Sequence, residues 1–154
     1  MAKAKTSKPA PMPIGTNIVM TPSDFSDEVS LVIDLTADFW PTSTGKNRRV
    51  ATTSGNTGIL AGLKLGINCY DPIVGRGALA VSDIADQPKT PLGTNLSIEV
   101  EDGVATITFD AGQDFGPTTS GKGRRVALTG GNVTIAGGLK LGLNCYDPVP
   151  APRD

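Results

Sequence analysis

Two short clusters of positive charge hold most of the chemistry this chain can offer. Gly45-Lys46-Asn47-Arg48-Arg49 and Gly121-Lys122-Gly123-Arg124-Arg125 each place three cations within five residues. Hydroxyls precede both: Thr42, Ser43 and Thr44 before the first, Thr118, Thr119 and Ser120 before the second. Guanidinium forks, hydroxyls and the N–H groups of a glycine-rich loop are the groups that hold phosphate oxygens. The text is not a nucleotide-triphosphate loop. Its glycines are wrongly spaced, no Ser or Thr follows the Lys, and no strand-to-helix transition stands behind it.

The second chemical signal is a strand. From Leu139 to Tyr146 apolar and polar residues alternate, so Leu139, Leu141, Leu143 and Cys145 share one face and Lys140, Gly142, Asn144 and Tyr146 the other. Leu63 to Tyr70 repeats the pattern, with Lys64, Gly66, Asn68 and Tyr70 away from the core. On those outward faces Tyr can stack, Lys supplies charge, Asn donates and accepts, and a bare Gly leaves the backbone open to a ligand.

Catalysis has little to work with. The chain has no histidine, which removes the commonest general base and metal ligand. No nucleophile and base can be paired, and the nearest carboxylates, Asp110 with Asp114 and Asp34 with Asp38, read as arginine partners or turn caps. The expectation is a non-enzyme with no cofactor and no metal site. Cys69 and Cys145 are the two cysteines and sit at matched positions. A disulfide would need those positions adjacent, whereas their apolar alternation predicts a buried thiol in each half.

The elements that position these groups occur twice. Residues 39–72 and 115–148 align without a gap at a spacing of 76, ending FWPTSTGKNRRV…NCYDP and FGPTTSGKGRRV…NCYDP. Upstream, Pro13 to Ile18 matches Pro91 to Leu96 at a spacing of 78. Abundant Gly and Pro, few aromatics and no long helical periodicity predict an all-β chain. The division expected is a Lys- and Pro-rich arm over 1–12, a β repeat over 13–72, a connector over 73–90, a second repeat over 91–148 and a tail over 149–154. Each repeat reads as about five antiparallel strands, and the two as a pseudo-twofold pair of small barrels or of sheets packed face to face.

Within the second repeat Asp102-Gly103 is a two-residue hairpin turn that sets Val100 against Ala105, Ile98 against Ile107 and Leu96 against Phe109. Gly130-Gly131 reads as a second hairpin, with Val126 facing Ile135 and Leu128 facing Val133. Phe39 and Phe115 read as core plugs under the long loops, and residues 78–87 as a short helix. Trp40, matched by Gly116, breaks the symmetry.

Net charge is −1, so any affinity for a polyanion must be local. The N-terminal stretch has no apolar leader and no later run is long enough to span a bilayer, which reads as an intracellular, cytoplasmic protein without a membrane partner. The function expected is binding of single-stranded DNA or RNA through Lys46, Arg48, Arg49, Lys64, Asn68, Tyr70, Lys122, Arg124, Arg125, Lys140, Asn144 and Tyr146. The alternative is a structural or self-assembling, homo-oligomeric protein such as a phage virion component, and a sugar-binding module is a third reading.

Overall fold

Alternation of buried and exposed side chains along nearly every long strand builds two sheets around one shared core. In this computed structural model the described residues are 11–23, 26–37, 48–73, 77–118 and 121–149. The first half supplies β1 (Met12–Gly15), β2 (Ile18–Pro22), β3 (Glu28–Asp34), β4 (Arg48–Thr52), β5 (Thr57–Gly58) and β6 (Lys64–Asp71). The second half supplies β7 (Gln87–Gly93), β8 (Leu96–Glu101), β9 (Val104–Asp110), β10 (Arg124–Leu128), β11 (Val133–Thr134) and β12 (Lys140–Asp147). The chain is all-β.

These strands form two six-stranded antiparallel sheets, and neither closes into a barrel. The first runs β1-β2-β3-β9-β8-β7. The second runs β10-β12-β6-β4, with β11 and β5 completing the outer edges of β12 and β6. Here the outcome departs from the expectation of about five antiparallel strands per half, the halves packed as two small barrels or as two sheets face to face. Each half sends three strands into each sheet, and the halves meet twice, at β3 against β9 and at β6 against β12. The physical reason is burial: a six-strand half alone would leave one face of each three-stranded piece and two long strand edges open.

The register of the two central pairings places Leu31 opposite Ile107 and Ile67 opposite Leu143. Both couples stand 76 apart in the sequence, the spacing of the repeated text. Inward residues of both sheets, among them Met20, Leu31, Ile107, Leu65, Leu141 and Phe109, join in a single buried cluster. Burying each such aliphatic side chain is worth about 1.5–3 kcal/mol relative to leaving it in water.

Two matched corners tie the sheets together. Asn17 and Asn95 adopt left-handed backbone, φ 60° and 59°, which Asn tolerates better than other side-chain-bearing residues. From that position Asn17 Nδ2 donates to the carbonyls of Asp34 and Val50 at 2.8 and 2.9 Å, one in each sheet. Asn95 does the same to Asp110 and Val126. The preceding Gly15 and Gly93 lie against the partner sheet so closely that a Cβ would fall 2.6 Å from the Thr52 carbonyl oxygen and 2.5 Å from that of Leu128. The GTN text shared by both halves is therefore a corner device.

The Asp102-Gly103 hairpin forms as read, both residues at positive φ, with Ile98 opposite Ile107 and Val100 opposite Ala105. The Gly130-Gly131 hairpin does not. Instead of pairing with each other, β10 and β11 lie end to end along the same edge of β12. The long strand offers eight residues of ladder, more than a pair of short strands could offer each other. The helix expected over 78–87 is reduced to a single 3₁₀ turn at Val81–Asp83, and β7 already begins at Gln87.

Candidate nucleic-acid interface

The outer face of the second sheet gathers most of the residues singled out by type and spacing. Antiparallel pairing puts directly opposed residues on one face, and here it makes two transverse rows. Arg49 on β4 lies opposite Tyr70 on β6, which lies opposite Lys140 on β12. At the other end Arg125 on β10 lies opposite Tyr146 on β12, which lies opposite Lys64 on β6. Six residue steps along β6 separate the rows, about 20 Å at strand rise. Between them lie Asn68 opposite Gly142 and Asn144 opposite Gly66.

The arginine doublets split. Arg49 and Arg125 share the outward face with the tyrosines, whereas Arg48 and Arg124 are registered opposite Asp71 and Asp147, whose carboxylates are buried at 2% and 8% exposure. Arg124 also pairs with Asp114, Nε to Oδ2 at 2.5 Å. That contact, with the N–H of Gly116, holds the Asp114 carboxyl below the usual carboxylate range although the side chain is exposed. Arg48 and Arg124 thus belong to the sheet margin, and Arg49 and Arg125 to the face.

Lys122 joins the second row. The loop before β10 folds back on itself: the Phe115 N–H donates to the Arg125 carbonyl, the Arg125 N–H to Gly116, and the Thr118 N–H to Gly123. It closes over an open cleft of about 620 Å³ lined by Thr118, Lys122, Arg125, Leu128, Asn144 and Tyr146, among others. Two cations, a hydroxyl, a carboxamide and a phenol ring therefore face one space. The matching Lys46 and its loop lie outside the described residues, as do Phe39 and Trp40. Phe115 is no core plug. It is 46% exposed, because the turn that docks its backbone on β10 leads its ring away from the cluster.

A shallower cleft of about 500 Å³ occupies the middle of the face, walled by Asn56, Asn68, Asn132, Asn144, Thr53 and Thr129. Only Asn68 and Asn144 of these were singled out from the sequence. Asn56 donates to the Tyr146 hydroxyl at 3.3 Å and Asn132 to that of Tyr70 at 3.2 Å, so each half orients the other half's phenol. Their carboxamides also occupy the space above the glycines. A Cβ on Gly66 would lie 2.4 Å from Asn56 Oδ1, and one on Gly142 at the same distance from Asn132 Oδ1. The glycines therefore admit an asparagine of the protein itself rather than leaving bare backbone for a ligand. The available signal was recurrence, since Asn56 and Asn132 match at the repeat spacing.

Lys140 Nζ donates to Thr134 Oγ1 at 2.6 Å. Cys69 and Cys145 are free and buried, and burial, aided by the charges of Asp71 and Asp147 respectively, pushes each thiol up to about 12. Neither is a nucleophile at neutral pH. Among the described residues no group of three or more carboxylates and thiols is placed to hold a metal ion, and no helix is long and apolar enough to cross a membrane. Compared with protein-family models, with curated proteins and with solved structures, the chain matches none.

Proposed function

We propose that the chain is a tandem duplication folded about a pseudo-twofold axis, passing between Leu31 and Ile107 and between Ile67 and Leu143, and that the outer face of its second sheet binds single-stranded nucleic acid. One observation carries the reading: the rows Arg49–Tyr70–Lys140 and Arg125–Tyr146–Lys64 put a ring between two cations at both ends of one face. Single-strand binders combine a cationic track for the backbone with aromatic rings for the bases, each stacked base contributing about 1–3 kcal/mol.

The two arginines stand at diagonally opposed corners, roughly 25 Å apart from strand rise and spacing. A short oligonucleotide engages one corner, and a longer strand crosses the asparagine-walled middle and reaches both, adding avidity without new contacts. A stiff duplex matches this pattern less well, since its bases are stacked inside and cannot meet the tyrosines.

The test is a gel shift with labelled single- and double-stranded oligonucleotides at low and moderate salt. Binding should favour the single strand and weaken as salt rises, with a log–log slope of about −0.7 per phosphate gripped. Replacing Arg49, Arg125, Lys64 and Lys140 together by Ala should abolish it. Replacing Tyr70 and Tyr146 by Ala should weaken it at nearly unchanged slope. A single strand that stays free at low salt with micromolar protein would overturn the reading.

A further inference from the structure

The outer face of the first sheet is the electrostatic opposite of the face just described. The outward positions of β2, β3, β9 and β8 carry Glu28, Asp34, Asp110, Glu99 and Glu101 and no Lys or Arg, whereas the outward positions of β4, β6, β10 and β12 carry no carboxylate. The near-zero net charge therefore conceals two strongly charged faces on opposite sides of one core.

The spacing of charge matches as well as its sign. Glu28 lies opposite Asp110 at one end of β3, and Asp34 lies in the row of Val104 and Glu101 at the other. Six residue steps along β3 separate these end rows, as six along β6 separate the cationic rows, so the end rows of both faces stand about 20 Å apart. Between the end rows the first sheet has a hydroxyl row, Thr21, Ser30, Thr108 and Ser97, and a row of Val19, Val32, Thr106 and Glu99, so one further carboxylate stands where the second sheet has its uncharged Asn and Gly centre. The edges of the first sheet are poor docking sites by comparison, because Pro13, Pro88 and Pro91 interrupt their donor rows.

We propose that the acidic outer face of the first sheet docks on the cationic outer face of the second sheet of another copy of this chain. The contact is heterologous, one face to a different face, so a bound pair still presents one free acidic face and one free cationic face, and assembly continues instead of stopping there. It does not depend on nucleic-acid binding. If both occur they compete for the same cations, and the acidic face stands in for the polyanion.

Sedimentation velocity on the full chain tests the proposal. At low salt the average mass should climb with protein concentration past that of a dimer of the 15.8 kDa chain, and return to the single chain at moderate salt. Two variants sharpen the result. Glu28→Lys with Glu99→Lys and Glu101→Lys spoils the acidic face and leaves the cationic one; Lys64→Glu with Lys140→Glu does the converse. Each should remain a single chain at low salt, and an equal mixture should associate, because the unchanged cationic face of one variant meets the unchanged acidic face of the other. Wild-type protein that stays a single chain at low salt, a mass that stops at a dimer, reversed variants that associate like wild type, or a mixture that does not pair would each overturn it. The oligonucleotide shift is read separately, so failure of either proposal leaves the other standing.

Discussion

The two sheets are built alike on the inside and unlike on the outside. Each is a six-stranded antiparallel sheet centred on a strand pair between halves, and each gives alternate residues to the same apolar cluster. Outward, the first presents short hydroxyls, two valines and carboxylates, and the second presents Arg, Lys, Tyr and Asn around glycines. The core constrains only one residue in two along a strand. The other residue is free to vary, and the contrast between the faces shows where this chain has used that freedom.

Truncating the shared interior gives the largest effects and asks whether the sheets are as equivalent inside as they look. Leu31→Ala in the first sheet and Leu65→Ala in the second should each cost about 3 kcal/mol in urea denaturation. Both side chains are fully buried, and one cooperative transition should remain. Two separated transitions would show that the sheets do not share a core.

Next come the two centres. Gly66→Ala or Gly142→Ala forces an asparagine off its glycine and away from the tyrosine, and should cost about 1–3 kcal/mol. Ser30→Ala and Thr108→Ala, at the centre of the other face, should stay within about 0.5 kcal/mol. Equal costs would mean that the carboxamides are not fitted over the glycines.

The charged flanks come third and affect ligands more than stability. Arg49→Ala with Arg125→Ala should reduce the salt dependence of oligonucleotide binding by about 0.7 in log–log slope per lost phosphate contact. Glu99→Gln with Glu101→Gln should leave that slope unchanged. A slope that follows the acidic face would reverse the assignment of the two sides.

Two titrations act only outside the neutral range. Both cysteines lie in the second sheet with thiols raised from 9.0 to about 12. The unfolded chain ionises first, so stability should be flat up to about pH 9 and decline from there towards 12. A thiol reagent at pH 8 should react only after denaturant is added. Asp114 runs the other way. Its lowered carboxyl contributes a slight stability that is present above the ordinary carboxylate range and lost as pH falls through the folded value, which side-chain NMR should place below that of a free aspartate and which Arg124→Gln should restore.

Local chemistry was legible in the text and partnership was not. The Asp102-Gly103 turn fixes its own hairpin because two residues at positive φ leave one register, and period-two alternation correctly separates Lys140, Asn144 and Tyr146 from Leu141 and Cys145. Arg124 finds Asp114 within ten residues. By contrast, the Gly130-Gly131 turn looks like a hairpin from its neighbours, and only the presence of the eight-residue β12 diverts both flanking strands onto one edge. Exchange of strands between halves leaves no local trace at all, since a strand reads the same whichever half pairs with it. The split of Arg48 from Arg49 follows from alternation, but its meaning depends on Asp71 lying on the inner side, which only the register reveals.

Because β3 waits for β9 and β6 waits for β12, the first half has no finished sheet while it emerges from a ribosome. Its apolar strands must remain uncommitted until translation delivers residues some seventy positions later, a long delay for a short chain and a window in which a holdase would have something to hold. A protease cut between the halves after folding should, for the same reason, yield two fragments that stay together until denaturant parts them.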